Sequence, residues 1–512
     1  MTLVIQSKSE FDGAAERLLN LANVAPAQAV SEARQLRGKG AVKPSVLGLR
    51  GGILIDAGQA AEDRGAVLEG VKIFRKLSRS MQEELGYQYN LANGLSALGR
   101  LKLHSGADWY VASHAERREA RRIFHMVARK SRSGKLRAQA LINLGNQLDA
   151  GYRWVEAYNC WVEARAADAS NVVAALSTAR MLLRRMREYR SHPQAVHRIA
   201  GYYARLAARS THTIERVAGR QAAKMAKSLP TFRSTWRPRK LRDIKDEFGR
   251  FVALHRLALV GTIEGLDLRK KRWDSVYVPV ISEKLGSGGG VPPVFAMINQ
   301  LKSDFCAARW LAYISQSHSP RETSVYGDTL DYAIYGVKPS LLVLAQRAAL
   351  DLLDRVAVCV NEYLSIGDKP SEIAFRTFWR EDGGTGSWRT QLQDEIKARN
   401  RGIVALGELA SDLGEGGFLW SKHQLRNVGT HRFCVLHDLG DTPSRASPAV
   451  EHYGLSSFFR ETIDSLKVAR SAILYLLDAV AWREERQSAA GPRVTLNVLP
   501  HHYIRGEGEL AW

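Results

Sequence analysis

Residues 144–148 of this chain read Leu-Gly-Asn-Gln-Leu, and similar pentapeptides stand at two earlier places. Residues 91–95 read Leu-Ala-Asn-Gly-Leu, and residues 49–53, a weaker copy, read Leu-Arg-Gly-Gly-Ile. The copy at 144–148 precedes a turn at Gly151 and a second helical segment that begins near Glu156. A phrase that recurs in this way indicates a helical repeat, in which each helix pair buries its apolar face only against its neighbours.

The repeated phrase resembles the tetratricopeptide repeat, in which small residues on the first helix let the second helix pack closely. The copies lie farther apart than the usual spacing of about 34 residues because of insertions such as residues 101–113, so the repeats are degenerate. Residues 1–230 are therefore expected to form a tetratricopeptide-like repeat domain that acts as a sensor or docking platform. A generic α-helical domain is the alternative.

Size and composition limit the class of protein further. A chain of 512 residues with 45% hydrophobic residues and few prolines is expected to form at least two folded, mostly helical domains. We expect a soluble, cytoplasmic protein without membrane contact, since there is no apolar run of about 18 residues and no signal peptide. The four cysteines are scattered, which argues against disulfides and Cys-type zinc sites.

Positive charge is concentrated in one part of the chain. The net charge is +22, and residues 180–272 contain 24 Lys and Arg against 7 Asp and Glu. This excess of positive charge creates an electrostatic field that attracts polyanions such as nucleic acids. Within a basic connector at 231–293, the predicted RNA-binding residues are Arg237, Arg239, Lys240, Arg242, Arg269, Lys270, Lys271 and Arg272. The alternative explanations of this basic stretch are a solvated helical face and an interface for an acidic protein.

Helical periodicity returns after residue 294, which predicts an all-α fold with a C-terminal helical bundle at 294–488. The long helices are expected at 295–316, 338–365, 388–413 and 456–485, with a shorter one at 421–437. A short strand near 493–499 is expected in the C-terminal tail, residues 489–512.

Within this bundle, residues 425–431 read Leu-Arg-Asn-Val-Gly-Thr-His. A histidine can move protons near neutral pH, and an arginine can hold a phosphate through two hydrogen bonds as charge builds up. On a helix, Asn427 and His431 would share one face while Arg426 projects elsewhere, so a second protomer would help to complete the site. We interpret Arg426, Asn427 and His431 as the candidate catalytic residues.

The motif and its surroundings resemble the HEPN ribonuclease superfamily, in the branch that follows tetratricopeptide-like repeats. Similar phrases stand at residues 299–305, 352–356, 375–379 and 400–406. The resemblance implies a homodimer in which two motifs face one cleft and RNA is cut without a metal ion or cofactor. The products would carry a 2′,3′-cyclic phosphate and a 5′-hydroxyl. Two departures are Thr430, where relatives often have an acidic residue, and Gly429, which costs a helix about 1 kcal/mol relative to Ala.

Other candidates carry less weight in the sequence. Arg309 and Asp354 match family positions and would line the cleft, although an ion pair within or between helices is the alternative. His423 flanks the motif and would either approach the cleft or lie on the surface. The same Arg-to-His spacing recurs in pairs that we interpret as structural or incidental, namely Arg187/His192, Arg250/His255 and Arg432/His437.

Two classes of function follow from these patterns. The first is a metal-independent RNA endonuclease, a toxin or anti-phage defence effector, gated by a repeat domain that recognises an unknown protein, peptide or nucleic acid. The second is a non-catalytic scaffold that binds RNA or a nucleotide while the repeats recruit a protein. A metal-dependent nuclease ranks third, because no spacing of Asp, Glu and His indicates a metal site.

Overall fold

The computed structural model describes residues 3–103, 113–188, 193–230, 236–238, 240–260, 274–278, 280–284, 292–317, 321–381, 387–427, 432–439, 447–488 and 493–497. They divide into two compact units. The first consists of Met1–Glu188, Val196–Trp236 and Ser411–Trp420, and the second of Tyr189–Ala195, Arg237–Ala410 and Ser421–Trp512. The segment Ser411–Trp420, which the sequence places in the C-terminal bundle, thus belongs to the first unit.

Successive helices make up most of the first unit, and each of the first eight packs on the next. They are α1 (Lys8–Val24), α2 (Pro26–Gln35), α3 (Lys43–Ala60), α4 (Arg64–Ser80), α5 (Leu85–Leu103), α6 (His114–Lys130), α7 (Gly134–Ala150), α8 (Trp154–Ala167), α9 (Val173–Glu188), α10 (Pro193–Arg209) and α11 (Thr211–Lys227). A short parallel ladder joins β1 (Leu3–Ile5) to β2 (Leu36–Gly38).

Several of these helices begin at residues whose side chains cap the first turn. Ser7 and Glu10 form a reciprocal capping box at the start of α1. Asp63 Oδ1 accepts the N–H of Ala66 at 2.9 Å before α4, and Ser133 Oγ accepts the N–H of Leu136 at 3.4 Å before α7. Each cap satisfies an N–H group that has no carbonyl partner within the helix, which explains why the helices begin there.

The repeated phrase lies where helices approach each other closely. A Cβ atom built on Gly51 would lie 2.9 Å from Phe74 Cε2, and one on Gly145 would lie 2.5 Å from Trp161 Nε1. Both aromatic side chains are buried, Phe74 on α4 and Trp161 on α8. Glycine therefore lets α4 pack on α3 and α8 pack on α7, which explains the small residues of the phrase.

Long helices again dominate the second unit. They are α12 (Glu247–His255), α13 (Pro293–Ser317), α14 (Val337–Tyr363), α15 (Thr390–Lys397), α16 (Arg401–Leu413, which ends in the first unit), α17 (Trp420–Asn427, which begins there) and α18 (Leu455–Ser488). Helices α13, α14 and α18 pack on one another. The fold is mostly helical, as predicted.

Two small sheets accompany these helices. Strand β3 (Val280–Lys284) pairs in antiparallel fashion with β7 (Arg493–Asn497), which confirms the strand predicted near residues 493–499. In the other sheet, β5 (Phe433–His437) lies between β4 (Ala333–Ile334), to which it is antiparallel, and β6 (Val450–Gly454), to which it is parallel.

Two helix predictions are wrong in detail. The single helix expected at 388–413 is two helices, because Arg399 adopts a left-handed conformation with φ of 66° and separates α15 from α16. The helix expected at 421–437 ends at Asn427, and residues 433–437 form strand β5 instead. Phe433 and Val435 are residue types that favour strands, and partners on both sides stabilise the extended backbone.

None of the helices in the described ranges combines the length and the apolar character that a membrane span requires.

Candidate functional site

The candidate motif begins on α17, which is held by side chains on its inner face. Leu425 is 5% exposed. Lys422 is also buried, and its ammonium group forms an ion pair with Glu461 of α18 and donates a hydrogen bond to the carbonyl of Glu461 at 3.3 Å. A buried apolar side chain and a paired lysine together fix the rotation of α17 about its axis. This rotation determines where Arg426 projects.

Arg426 forms an ion pair with Asp354, through Nη2 and Oδ2. The other carboxylate oxygen of Asp354 accepts the backbone N–H of Phe375 at 2.8 Å. The Arg426 side chain is 38% exposed, whereas that of Asp354 is 18% exposed. A guanidinium group is well suited to bind phosphates and carboxylates, and the exposed part of the Arg426 side chain is accessible to an anion from the solvent.

The electrostatic state of Asp354 depends on this pair. Burial raises the pKa of Asp354 above the usual aspartate range, and the N–H of Phe375 and the charge of Arg426 act in the opposite direction. A carboxylate that loses water favours its neutral form unless a cation or a donor compensates. Arg426 therefore helps to keep Asp354 ionised, and Asp354 in turn orients Arg426.

Only part of the predicted catalytic set falls within the described residues. Asn427 ends α17 and His423 lies inside it, but their side chains are outside the described part, as is His431 altogether. The structure thus brings together Arg426 and Asp354, one predicted catalytic residue and one predicted cleft residue.

Arg309, the other predicted cleft residue on a long helix, is 2% exposed. Its guanidinium group donates to both carboxylate oxygens of Asp274, at 2.9 and 2.5 Å, and to the carbonyl of Leu257 at 2.8 Å. These contacts tie α13 to the segment that follows α12. The arrangement favours a structural role for Arg309, with an ion pair to a non-helical segment in place of the pair within or between helices that was the alternative.

The basic residues predicted to bind RNA are only partly described. Arg237, Lys240 and Arg242 are exposed, and Arg242 lies 3.9 Å from Asp243. Arg239 and the run from Arg269 to Arg272 lie outside the described residues. Exposure at the first three positions is compatible with phosphate binding and also with a solvated surface.

One cluster has no signal in the sequence. Asp331, His437 and His452 place one ligand atom each within 4.8 Å of one another. His437 is 106 residues from Asp331 and 15 from His452, and only the pairing of β4, β5 and β6 brings them together. Spacing along the chain therefore does not indicate this group, and none of the three is predicted from the sequence as a metal ligand.

Comparison with known proteins identifies the part of the chain that carries these residues. Residues 286–483 match the family model described as LA2681-like HEPN. The matched range includes α17 with Arg426, α14 with Asp354 and the segment at 428–431. No curated protein and no solved structure matches the chain.

Proposed function

Because residues 286–483 form a HEPN domain, we propose that this chain is an RNA endonuclease of HEPN type that acts through Arg426, Asn427 and His431. The observation that carries the proposal is the Arg426–Asp354 pair, which presents a half-exposed guanidinium group on the helix that leads to His431. HEPN domains are generally ribonucleases, and this cation is suited to a phosphate.

In the proposed reaction, His431 removes the proton from a ribose 2′-hydroxyl, and the 2′-oxygen attacks the adjacent phosphorus. The bond from phosphorus to the 5′-oxygen breaks, and that oxygen takes up a proton. The products are a 2′,3′-cyclic phosphate and a 5′-hydroxyl end. Arg426 stabilises the negative charge that develops on the phosphoryl oxygens, and Asn427 helps to orient the phosphate. No step requires a metal ion.

We further propose that two copies of the HEPN domain pack together so that both motifs face one cleft. Consecutive positions of any α-helix are rotated by about 100° around its axis, so a helical motif of this spacing would present its groups in different directions. A second protomer supplies the complementary groups. The homodimer would be visible as twice the chain mass in light scattering.

Gating by the repeat helices is supported by the course of the chain before α17. The segment Ser411–Trp420, which belongs to the first unit, ends where α17 begins. Within that unit, Asp412 is fully buried between Arg121 and Arg153. A trigger that moves the helices carrying these arginines would displace the residues that lead into α17. A nuclease controlled in this way suits a toxin or an antiviral defence effector.

The decisive experiment incubates purified full-length protein with total RNA in EDTA and analyses the fragment ends. We expect cleavage that leaves cyclic phosphate ends, its loss in His431→Ala, and its retention in His212→Ala, which removes an exposed histidine on α11. Equal cleavage by both variants would contradict the proposed role of His431. RNA binding that persists equally in all three proteins without cleavage would favour the scaffold.

A further inference from the structure

The cluster of Asp331, His437 and His452 in the second unit combines two imidazoles with a carboxylate. Asp331 precedes β4, His437 ends β5, and His452 lies inside β6. We propose that these three residues bind a divalent transition-metal ion of the zinc class, with the remaining coordination position open to water. The inference does not rest on the proposed nuclease activity, and the ion takes no part in the cleavage step described above.

Strand register places both imidazoles on one face of the sheet. In the parallel pair, His452 lies opposite Val435, and His437 follows Val435 by two residues. Side chains alternate between the two faces along a strand, so the side chains of residues 435, 437 and 452 share a face. The antiparallel pairing of Ala333 with His437 brings the turn that holds Asp331 to the same end of β5.

The hydrogen bonding of His437 determines which of its ring nitrogens can bind an ion. His437 is 2% exposed, and its Nδ1 lies 2.9 Å from the backbone carbonyl oxygen of Asp331. A carbonyl oxygen can only accept, so Nδ1 carries the proton and Nε2 carries the lone pair. This is the arrangement in which metal-binding histidines are usually held, with one ring nitrogen on a carbonyl and the other on the ion.

The second imidazole faces that lone pair. His452 Nδ1 lies 2.8 Å from His437 Nε2 and donates a hydrogen bond to it, so an ion would bind in place of the Nδ1 proton, which would move to Nε2 of His452. A tetrahedral zinc ion with Zn–N bonds of about 2.0–2.1 Å keeps two nitrogens about 3.3 Å apart. An ion would therefore require the rings to separate by about 0.5 Å. His452 is only half-buried, which leaves room for this movement.

Asp331 supplies an oxygen donor on a well-defined turn. Its Oδ1 accepts hydrogen bonds from Thr329 Oγ1 at 2.6 Å and from the N–H of Ala333 at 3.2 Å, while Oδ2 accepts none from the described residues. The neighbours Leu330 and Tyr332 both have positive φ, 55° and 60°, which is uncommon for bulky residues. This turn directs the carboxylate. Two imidazoles and one carboxylate favour zinc-class ions over magnesium or calcium, which prefer oxygen ligands.

The test starts from full-length protein freed of metals with a chelator. Zn²⁺ is titrated against a competing indicator dye, Co²⁺ binding is followed by its visible absorption, and Mg²⁺ at the same concentration serves as the comparison. We expect one equivalent of Zn²⁺ to bind and to raise the melting temperature, since an ion that binds only the folded state stabilises it. Mg²⁺ should leave the melting temperature unchanged.

Variants identify the site. Asp331→Asn, which retains the oxygen that accepts from Thr329 and Ala333, and His452→Gln should each weaken Zn²⁺ binding about 100-fold or more. His212→Gln should bind Zn²⁺ like the unmodified protein. Circular dichroism verifies that the variants fold. If His452→Gln unfolds, Zn²⁺ binding by Asp331→Asn alone tests the site. Lack of Zn²⁺ binding by the unmodified protein, or equal binding by all variants, would overturn the proposal.

Discussion

At the scale of single residues, the environment of a charged group determines what it can do. Arg309 and Arg426 both form ion pairs with an aspartate, but Arg309 is buried and also donates to the carbonyl of Leu257, whereas Arg426 is half-exposed. Because Arg309 is buried, its role is structural. The exposed part of Arg426 can contact an anion. The same residue type thus supports different functional interpretations.

Asp354→Asn tests whether this carboxylate orients Arg426 for catalysis. We expect the rate of RNA cleavage to fall about 10- to 100-fold with little change in RNA binding, since a misplaced catalytic group affects mainly the chemical step. Because the pair is partly exposed, the melting temperature should change little. The control is Asp351→Asn, an exposed position one turn earlier on α14. A cleavage rate like that of the unmodified protein would argue against an orienting role.

His255 on α12 should make stability depend on pH. Its ring lies 4.8 Å from that of Phe251 and 5.8 Å from that of Phe459. Burial, and to a lesser extent the charge of Lys467, lowers the pKa of His255 to about 4, while Asp464 acts in the opposite direction. The folded state therefore excludes a proton that the unfolded chain binds below its ordinary pKa of about 6.5.

The stability associated with neutral His255 is present above pH 6.5 and is lost as the pH falls towards 4. Because His255 is only partly buried and water screens its charge, the loss should be about 1–2 kcal/mol. His255→Phe keeps an aromatic ring and removes the proton, so its unfolding free energy should fall less between pH 7 and pH 4. Urea unfolding at the two pH values measures the difference, with His212→Gln as the control. Parallel pH profiles for His255→Phe and the unmodified protein would contradict the assignment.

At the scale of elements, the glycines of the repeated phrase explain how helix pairs approach each other. Gly145 on α7 faces Trp161, whereas a Cβ atom on Gly52 of α3 would have no atom within 4 Å. The two glycines stand in copies of the same phrase, at 144–148 and 49–53, and differ in surroundings. Only the first is required by packing.

Gly145→Ala should lower the unfolding free energy by about 1–3 kcal/mol, because the new methyl group forces Trp161 out of its place. Gly52→Ala should be neutral or should stabilise α3 by up to about 1 kcal/mol, since alanine is the better helix former. Thermal unfolding followed by circular dichroism compares the two. A destabilisation of equal size at both positions would show that close helix packing is not the reason for the phrase.

At the scale of the whole molecule, the two compact units are not contiguous in the chain. Ser411–Trp420 lies in the first unit, while the residues on either side of it lie in the second. Its anchor is Asp412, whose Oδ2 accepts from Arg121 Nε at 2.8 Å and also from Arg153. All three side chains are fully buried. This buried charge cluster holds the connection before α17 together with Arg118, which donates to the carbonyls of Ser411 and Glu415.

Asp412→Asn should destabilise the protein by about 3–5 kcal/mol, because it removes the buried carboxylate that Arg121 and Arg153 share, although Arg153 keeps its ion pair with Glu156. The matched control is Glu415→Gln, an exposed position in the same segment. Thermal unfolding of both variants gives the comparison. If Asp412→Asn melts within a degree of the control, the cluster is not a significant anchor.

Local patterns in the sequence were sufficient to predict much of this architecture. Helices α13 and α14 begin and end within two residues of their expected limits, because an apolar stripe with helical spacing is a property of the segment itself. Phrases spread over several helices predicted a HEPN bundle at 294–488, and the family model matches residues 286–483. The short strand at the C-terminal end also followed from its composition.

Tertiary structure alone decided the rest. Strand-favouring residues such as Phe433 and Val435 were not sufficient to predict β5, because its extended backbone also depends on pairing with β4 and β6. The pairing of Arg426 with Asp354, the burial of Asp412 and the meeting of Asp331 with His437 and His452 join residues far apart in the chain. Such contacts depend on how whole elements pack, whereas helix periodicity and turn residues act over a few neighbouring positions.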